Sequence, residues 1–425
     1  MRAIGKHFSA FTQLMFLLVA VLMCCQSCQS PSSEKSEQLN LSAEDLLGNP
    51  DYMAISFGAY RQNTRDIQPS IEELQQDLLL IEALGFKFIR TYNVHFPQAE
   101  NILKAIKALK DDDPTFEMYV MLGAWINCKG AFTAEPDHTV QDTTANQWEI
   151  NEAIRLTKAY PDIVKVLAVG NEAMVHWAGS YFVEPSVILG WVNHLQDLKS
   201  QGELPKKLWI TSSDNFASWG GGGSSYHKPD LEALIKAVDF ISMHTYPMHD
   251  THYNPQFWFL SEEEQSLDTL TRVNILMDRA FEYAVSQYES VERYLDSLGI
   301  EKPIHIGETG WASESNGFYG SEGSCATDEY KQKLYYQKIR KWTNENGISC
   351  FFFEAFDEVW KDKMNPEGSE NHFGLFTLDR KAKFAIWEAV DKGLFDRKST
   401  GADSVKKTYG GRQDSLLKKL SLPTK

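Results

Sequence analysis

Between Asp51 and about Val390 the hydrophobic periodicity of the chain switches repeatedly between two values. Short runs rich in β-branched and aromatic residues alternate with stretches whose apolar residues recur every three or four positions, the patterns of strands and amphipathic helices. The strand candidates are YMAISFGAY (52–60), FKFIRTYN (86–93), EMYVMLGAW (117–125) and VKVLAVGNE (164–172). LWITSSDN (208–215), DFISMHTYP (239–247), PIHIGETGW (303–311) and ISCFFFEAFDE (348–358) follow. Helical stretches lie between them: SIEELQQDLLLIEAL, with Ser70 placed to cap and acids in the first turn, then ENILKAIKALK and ANQWEINEAIRLTKAY. This unbroken run predicts an α/β fold, a (β/α)8 TIM barrel in a single domain over 51–390. No glycine-rich phosphate loop opens any of these helices, which argues against a nucleotide-binding open sheet.

In such barrels chemistry sits at the C-terminal ends of the strands. The fourth and seventh candidates each end in a glycine followed by an acid, Glu172 and Glu308. The other ends carry Arg90 and Tyr92, Trp125, Asp214, His244 and Tyr246, then Glu354, Asp357 and Glu358. Polar chemistry at nearly every end is hard to assign to packing, and paired carboxyl groups are the usual equipment of acid/base catalysis. A net charge of −16 argues against nucleic acid as a partner, while 12% aromatic content suits a carbohydrate or small-molecule cleft. His244, His249, His252 and His305 match no zinc-ligand spacing, so neither metal nor cofactor is expected.

With the strands placed, the motifs resemble glycoside hydrolase family 17, the β-1,3-glucanases of clan A. The matching stretches are IRTYN, LGAW, VGNE, GETGW, FFFEAFDEVWK and ENHFGLF, spread in order over about 52–378. GETGWA lacks the proline that often follows the tryptophan in that family, and the loop after the sixth strand is long and aromatic. The resemblance implies a retaining hydrolase of β-1,3-glucan, with Glu172 as acid/base and Glu308 as nucleophile of a covalent glycosyl-enzyme. It also implies Asn171 against the sugar 2-hydroxyl, Arg90 and Tyr92 positioning the nucleophile, and Glu358, Lys361 and Glu370 in the surrounding polar network. Trp125, Trp177, Trp219, Tyr246, Trp311 and Trp360 are the candidate sugar platforms, Trp311 foremost. The same residues serve a transglycosylase that passes the glucosyl unit to another sugar, and a non-catalytic glucan-binding lipoprotein is a third reading.

The N-terminus reads as an export signal: Arg2, Lys6 and His7, then an apolar stretch over 14–23, too short for a membrane span. LMCC resembles a bacterial lipoprotein signal, with residues 1–25 as the signal and Cys25 as the lipidated residue. That implies a lipid-anchored protein of the cell envelope, expected at the outer membrane. Residues 26–50 are rich in Ser, Gln and Glu and read as a flexible tether. The basic tail, 391–425, carries nine Lys/Arg against four Asp and reads as a surface helix or a partly ordered end. Cys128, Cys325 and Cys350 in the body of the chain form no disulfide framework, leaving buried thiols or a single bridge.

Overall fold

The computed structural model describes residues 41–396 and 404–423. Eight parallel strands close into a barrel: β1 (Met53–Ser56), β2 (Phe86–Arg90), β3 (Tyr119–Ala124), β4 (Val164–Asn171), β5 (Trp209–Asn215), β6 (Ile241–His244), β7 (Ile304–Gly310) and β8 (Cys350–Phe353). Each strand pairs with its neighbours in sequence, and β8 closes on β1 through Ile55 and Phe352. Strands covered on both faces tend to be apolar, as in β3, which is buried at every position.

Seven long or medium helices form the outer layer: α1 (Ile71–Ala83), α2 (Pro97–Asp112), α3 (Thr143–Ala159), α4 (Pro185–Ser200), α5 (Pro229–Ala237), α6 (Thr269–Leu298) and α7 (Glu329–Glu345). Their starts are written locally. Ser70 and Glu73 make a reciprocal capping box on α1, and Asp142 and Asp328 cap α3 and α7. Proline occupies the first turn of α2, α4 and α5, where its missing N–H is not needed. α6 opens on Asp268 and closes on Gly299, whose left-handed φ of 65° ends the helix. After β8 the eighth helix is reduced to a 3-10 turn and α8 (Trp387–Asp391).

The structure corrects both edges of the expected domain. The proposed signal and Cys25 lie outside the described residues, but the end of the expected tether is folded. Ser42 and Asp45 form a capping box on a short helix, Ala43–Leu46, whose Leu46 is fully buried. Gly48 N–H donates to Ser349 Oγ at 2.8 Å, tying this segment to the barrel. The basic tail is likewise docked over 404–423. Thr408 Oγ donates to Glu329 Oε2 at 2.7 Å, Ser421 O accepts from Lys331 Nζ at 2.7 Å, and Leu416 is buried. Cys128, Cys325 and Cys350 are all buried free thiols. No helix among the described residues is long and apolar enough to cross a membrane.

Candidate active site

The end of β4 is built to turn a carboxylate inward. Its register with β5 shifts between Ala168 and Asn171, and Gly170 takes a φ of 81° that a side chain would oppose. A Cβ there would also meet Ala173 Cβ at 2.9 Å. Glu172 itself is left-handed, with φ 47°, held by its N–H to Ser213 O at 3.0 Å. At β7 glycine serves a different need: a Cβ on Gly307 would lie 2.0 Å from Ser242 Oγ. That close approach brings Glu308 beside the ends of β2 and β6.

Glu308 is held by two donors. Arg90 Nη1 reaches its Oε2 at 2.7 Å, and Tyr246 Oη donates to Oε1 at 2.5 Å. Arg90 is 1% exposed; its Nη1 also serves Gly307 O at 2.8 Å, and its Nη2 donates to Asn171 Oδ1 at 2.6 Å. Asn171 therefore presents its amide N–H2 to the cleft with its carbonyl already committed. Tyr246 keeps its proton, because burial and the nearby Glu308 charge push it well above the usual phenol range.

Glu172 has a different setting. His244 Nδ1 lies 3.2 Å from its Oε1, while His244 Nε2 faces Arg90 Nη1 at 3.2 Å and Ser213 Oγ at 2.8 Å. Burial, and then the Arg90 charge, hold His244 well below its ordinary range, so the ring is neutral. Arginine can only donate, which favours the tautomer with the lone pair on Nε2 and Nδ1–H directed at Glu172. Burial is also the first cause raising Glu172 well above the carboxylate range, followed by the charges of Glu308 and Asp214. Asp214, raised by its own burial to about 6, accepts from Met174 N at 2.7 Å and from Ser218 Oγ at 2.7 Å. Thus Glu172, His244, Arg90 and Glu308 form one continuous polar chain across the mouth.

Beside this chain opens a cleft of about 980 Å³, lined by Asn171 and Glu308 and by residues expected from sequence: Tyr92, Trp125, Glu358, Trp360, Lys361 and Glu370. Lys361 bridges Glu354 at 2.7 Å and Glu358 at 3.3 Å. Burial alone would lower Lys361, but the two carboxylates outweigh it and hold the ammonium above its ordinary range. Glu358 accepts from Tyr60 N at 2.9 Å and from Trp360 Nε1 at 3.0 Å, which fixes that indole on the cleft wall.

Several expectations need correction. Trp311 is wholly buried; its Nε1 donates to Ala326 O at 2.8 Å and its ring packs against Trp258 and Tyr335. Trp219 is equally buried, bonded to Ser242 O, so both are core residues rather than platforms. Trp177 is exposed but does not line the cleft. Tyr246 is placed by its hydroxyl, which donates to Glu308, and its side chain does not line the cleft, whereas Tyr92 lines the cleft and makes no hydrogen bond to Glu308. Its ring lies under the Arg90 guanidinium at 4.7 Å, and its buried hydroxyl finds no partner among the described residues. In the sequence His244 and Asp214 stand at strand ends without a task that the motifs assign them. Nor do the motifs single out Glu149, whose Oε1 accepts from Val94 N at 2.6 Å and Trp125 N at 3.0 Å, or the antiparallel hairpin of Cys128–Lys129 with Asp137–Gln141. Among the described residues no three His, Cys, Asp or Glu side chains converge as a metal-holding group.

A family model described as the BtgE/BtgC glycoside hydrolase domain matches residues 54–374, which include both glutamates and every barrel strand except Met53 of β1. The chain belongs to the BtgE/BtgC glycoside hydrolase family. Relatives in this family's range include the putative glucan endo-1,3-beta-glucosidase btgC of Aspergillus niger, 23% identical over 326 residues, 74% of this chain and 40% of the relative. The glucan 1,3-beta-glucosidase of Arthroderma benhamiae is 25% identical over 275 residues, 62% of this chain and 70% of its own. The chain spans less than half the length of the btgC relatives it matches. Among solved structures, an endo-laminarinase from Formosa Hel1_33_131 is 58% identical, with a TM-score of 0.88 over 90% of this chain and 98% of that one. A β-1,3-glucanosyltransferase of Rhizomucor miehei, 21% identical with a TM-score of 0.53 over 79% and 96%, shares the fold.

Proposed function

We propose that this glycoside hydrolase cleaves internal bonds of β-1,3-glucan with retention, Glu172 acting as acid/base and Glu308 as nucleophile. The observation that carries the assignment of roles is the asymmetry of the two carboxyl groups. Arg90 and Tyr246 aim N–H and O–H donors at Glu308, an arrangement that complements negative charge. Burial and neighbouring anions keep the proton on Glu172. The 58% identity to an endo-laminarinase, and a cleft near the upper end of the roughly 300–1,000 Å³ usual for ligand sites, support a polymeric glucan as substrate.

In the first step a Glu308 oxygen forms a bond to the anomeric carbon as the glycosidic C–O bond breaks. Glu172 gives its proton to the departing oxygen and becomes a carboxylate. In the second step that carboxylate takes a proton from water, the water oxygen attacks the same carbon, and Glu308 leaves with its electron pair. His244 donates to Glu172 Oε1 in both protonation states, leaving Oε2 as the atom that carries the moving proton.

Proton NMR of the first products from a linear β-1,3-glucan tests this reading. The β anomer should appear first and then mutarotate; the α anomer appearing first would contradict retention. Product lengths read the mode of attack. A spread of oligosaccharides supports internal cleavage, glucose alone contradicts it, and products longer than the substrate would mark glucosyl transfer in place of hydrolysis.

We further propose that Cys25 carries a lipid holding the enzyme on the bacterial envelope at the outer membrane, a reading supported by the LMCC stretch and the polar segment after it. Expressed with its own signal, the chain should partition into detergent and Cys25→Ser should release it. A mutant that stays with the membrane contradicts the assignment.

A further inference from the structure

The hairpin that follows β3 carries a side chain the fold does not need. Phe132 sits at its tip, 64% exposed, with a φ of 61° that a bulky residue rarely adopts. Its backbone is nonetheless pinned: Phe132 N–H donates to Ser180 O at 2.8 Å, and Thr133 Oγ1 donates to Gly130 O at 2.6 Å across the turn. An exposed phenyl ring held in a strained conformation by several hydrogen bonds gains nothing from core burial, so its placement points to function.

The ring is the outer end of an ordered stack. Phe132 lies on Tyr181 with centroids 5.5 Å apart and planes 30° apart, and Tyr181 packs on Trp125 at 5.0 Å. Trp125 is fixed from both ends, its indole N–H donating to Asn127 Oδ1 at 2.6 Å and its backbone N–H to Glu149 Oε1 at 3.0 Å. Next to Glu149 on α3, Trp148 is 51% exposed. All four aromatic residues line the cleft that holds Asn171 and Glu308. Exposed apolar rings gathered in one cleft mark a binding surface, whereas rings scattered singly over a protein do not. A pyranose offers a face of C–H groups and a rim of hydroxyls, so it matches a rigid aromatic wall with polar groups beside it.

We propose that Phe132, backed by Tyr181 and Trp125 and joined by Trp148, forms an outer sugar subsite that grips the glucan chain away from the scissile bond and favours long substrates over short ones. This rests on the β-1,3-glucan reading of the site. The hairpin then sets chain-length selectivity, a property separate from the chemistry of Glu172 and Glu308.

Two measurements on the full chain test it. The first compares kcat/KM across β-1,3-linked oligosaccharides from about two to about eight glucosyl units. In Phe132→Ala the ratio of long-chain to short-chain kcat/KM should fall roughly tenfold, the size expected for loss of one aromatic contact of about 1.4 kcal/mol, and Phe132→Tyr should restore most of it. An unchanged ratio, or an equal loss at every length, would overturn the proposal. The second is calorimetric titration of a β-1,3-linked hexasaccharide into the inactive Glu308→Gln chain with and without Phe132→Ala. Weaker binding in the double variant supports the subsite, and equal binding in both chains overturns it. Failure of the glucanase reading shows itself differently, as absent turnover in the unmutated chain and no hexasaccharide binding in the Glu308→Gln chain.

Discussion

Glu172 and Glu308 are the same residue type at equivalent ends of two strands in one barrel, yet the structure treats them oppositely. Glu308 meets two strong donors, one a guanidinium, and lies at the wall of the open cleft. Glu172 sits in a left-handed turn with one neutral imidazole hydrogen-bonded to it, and burial together with the charges of Glu308, Asp214 and Glu370 raises the energy of its own charge. The comparison teaches that role is set by what surrounds a carboxyl group and not by its place on the strand. Arg90 serves both sides. It binds Glu308 directly, and by lying against His244 Nε2 it helps hold the imidazole neutral with its proton toward Glu172.

Breaking the comparison at its stronger end should cost most. Glu308→Gln removes the attacking oxygen, and kcat should fall by about 10⁴-fold or more on every substrate, natural or activated. Glu172→Gln should cost about 10²–10⁴-fold on glucan, but far less for the first step with an aryl glucoside whose leaving group needs no proton. Steady-state and burst kinetics on both substrates check this contrast; an equal loss on both from Glu172→Gln would contradict the acid role.

The donors around Glu308 give a smaller effect. Tyr246→Phe deletes one hydrogen bond to a charged group, worth about 1.5–3 kcal/mol, so kcat/KM should fall roughly 10–100-fold. On the proposed roles the hydroxyl steadies the nucleophile, so the loss should appear in kcat more than in KM. A change confined to KM would return Tyr246 to the role of a platform.

The smallest effects sharpen the electrostatics. Glu172 must hold its proton to act as acid, so activity is lost as pH rises through its raised value. Asp214→Asn removes one of the charges that raise it, and the alkaline limb of kcat/KM should move to lower pH. The same shift is linked to stability. A carboxyl raised above its ordinary 4.5 contributes most below that pH, and the contribution is lost as pH rises through the folded value. Glu172→Gln should therefore raise Tm on the alkaline side, where the native protein bears an unfavourable buried charge. An alkaline limb unmoved in Asp214→Asn would separate Asp214 from the site.

β5, with buried Thr211, Ser212, Ser213 and Asp214, and β7, with buried His305, Glu308 and Thr309, carry polar chemistry inside the barrel itself. Most strands were nonetheless legible as short apolar or β-branched runs that ended where polar mouth residues began. The boundaries overran for the same reason. The stretch 348–358 contains only Cys350–Phe353 as strand, the rest being loop that carries Glu354 and Glu358 into the network. Trp311 and Trp219 misled because a tryptophan near a strand end looks identical in sequence whether it turns to the mouth or into the surrounding core. The tail misled by composition. Its lysines advertise solvent, yet Lys406 O and Thr408 N–H pair with the backbone of Ala382, Thr408 Oγ1 donates to Glu329, Ser421 O accepts from Lys331, Lys407 lies over the Trp387 ring and Leu416 is buried. His244 was visible as a strand-end residue, but its tautomer depends on Arg90, 154 positions away.

The division of labour between the two glutamates is most directly tested by azide rescue with an activated β-glucosyl substrate. In Glu172→Ala the covalent intermediate still forms on Glu308, and azide entering the space left by the acid should give the β-glucosyl azide by two inversions. In Glu308→Ala azide should attack from the nucleophile's own face and give the α-azide by one inversion. An α-azide from the Glu172 variant, or a β-azide from the Glu308 variant, would show the two roles to be reversed.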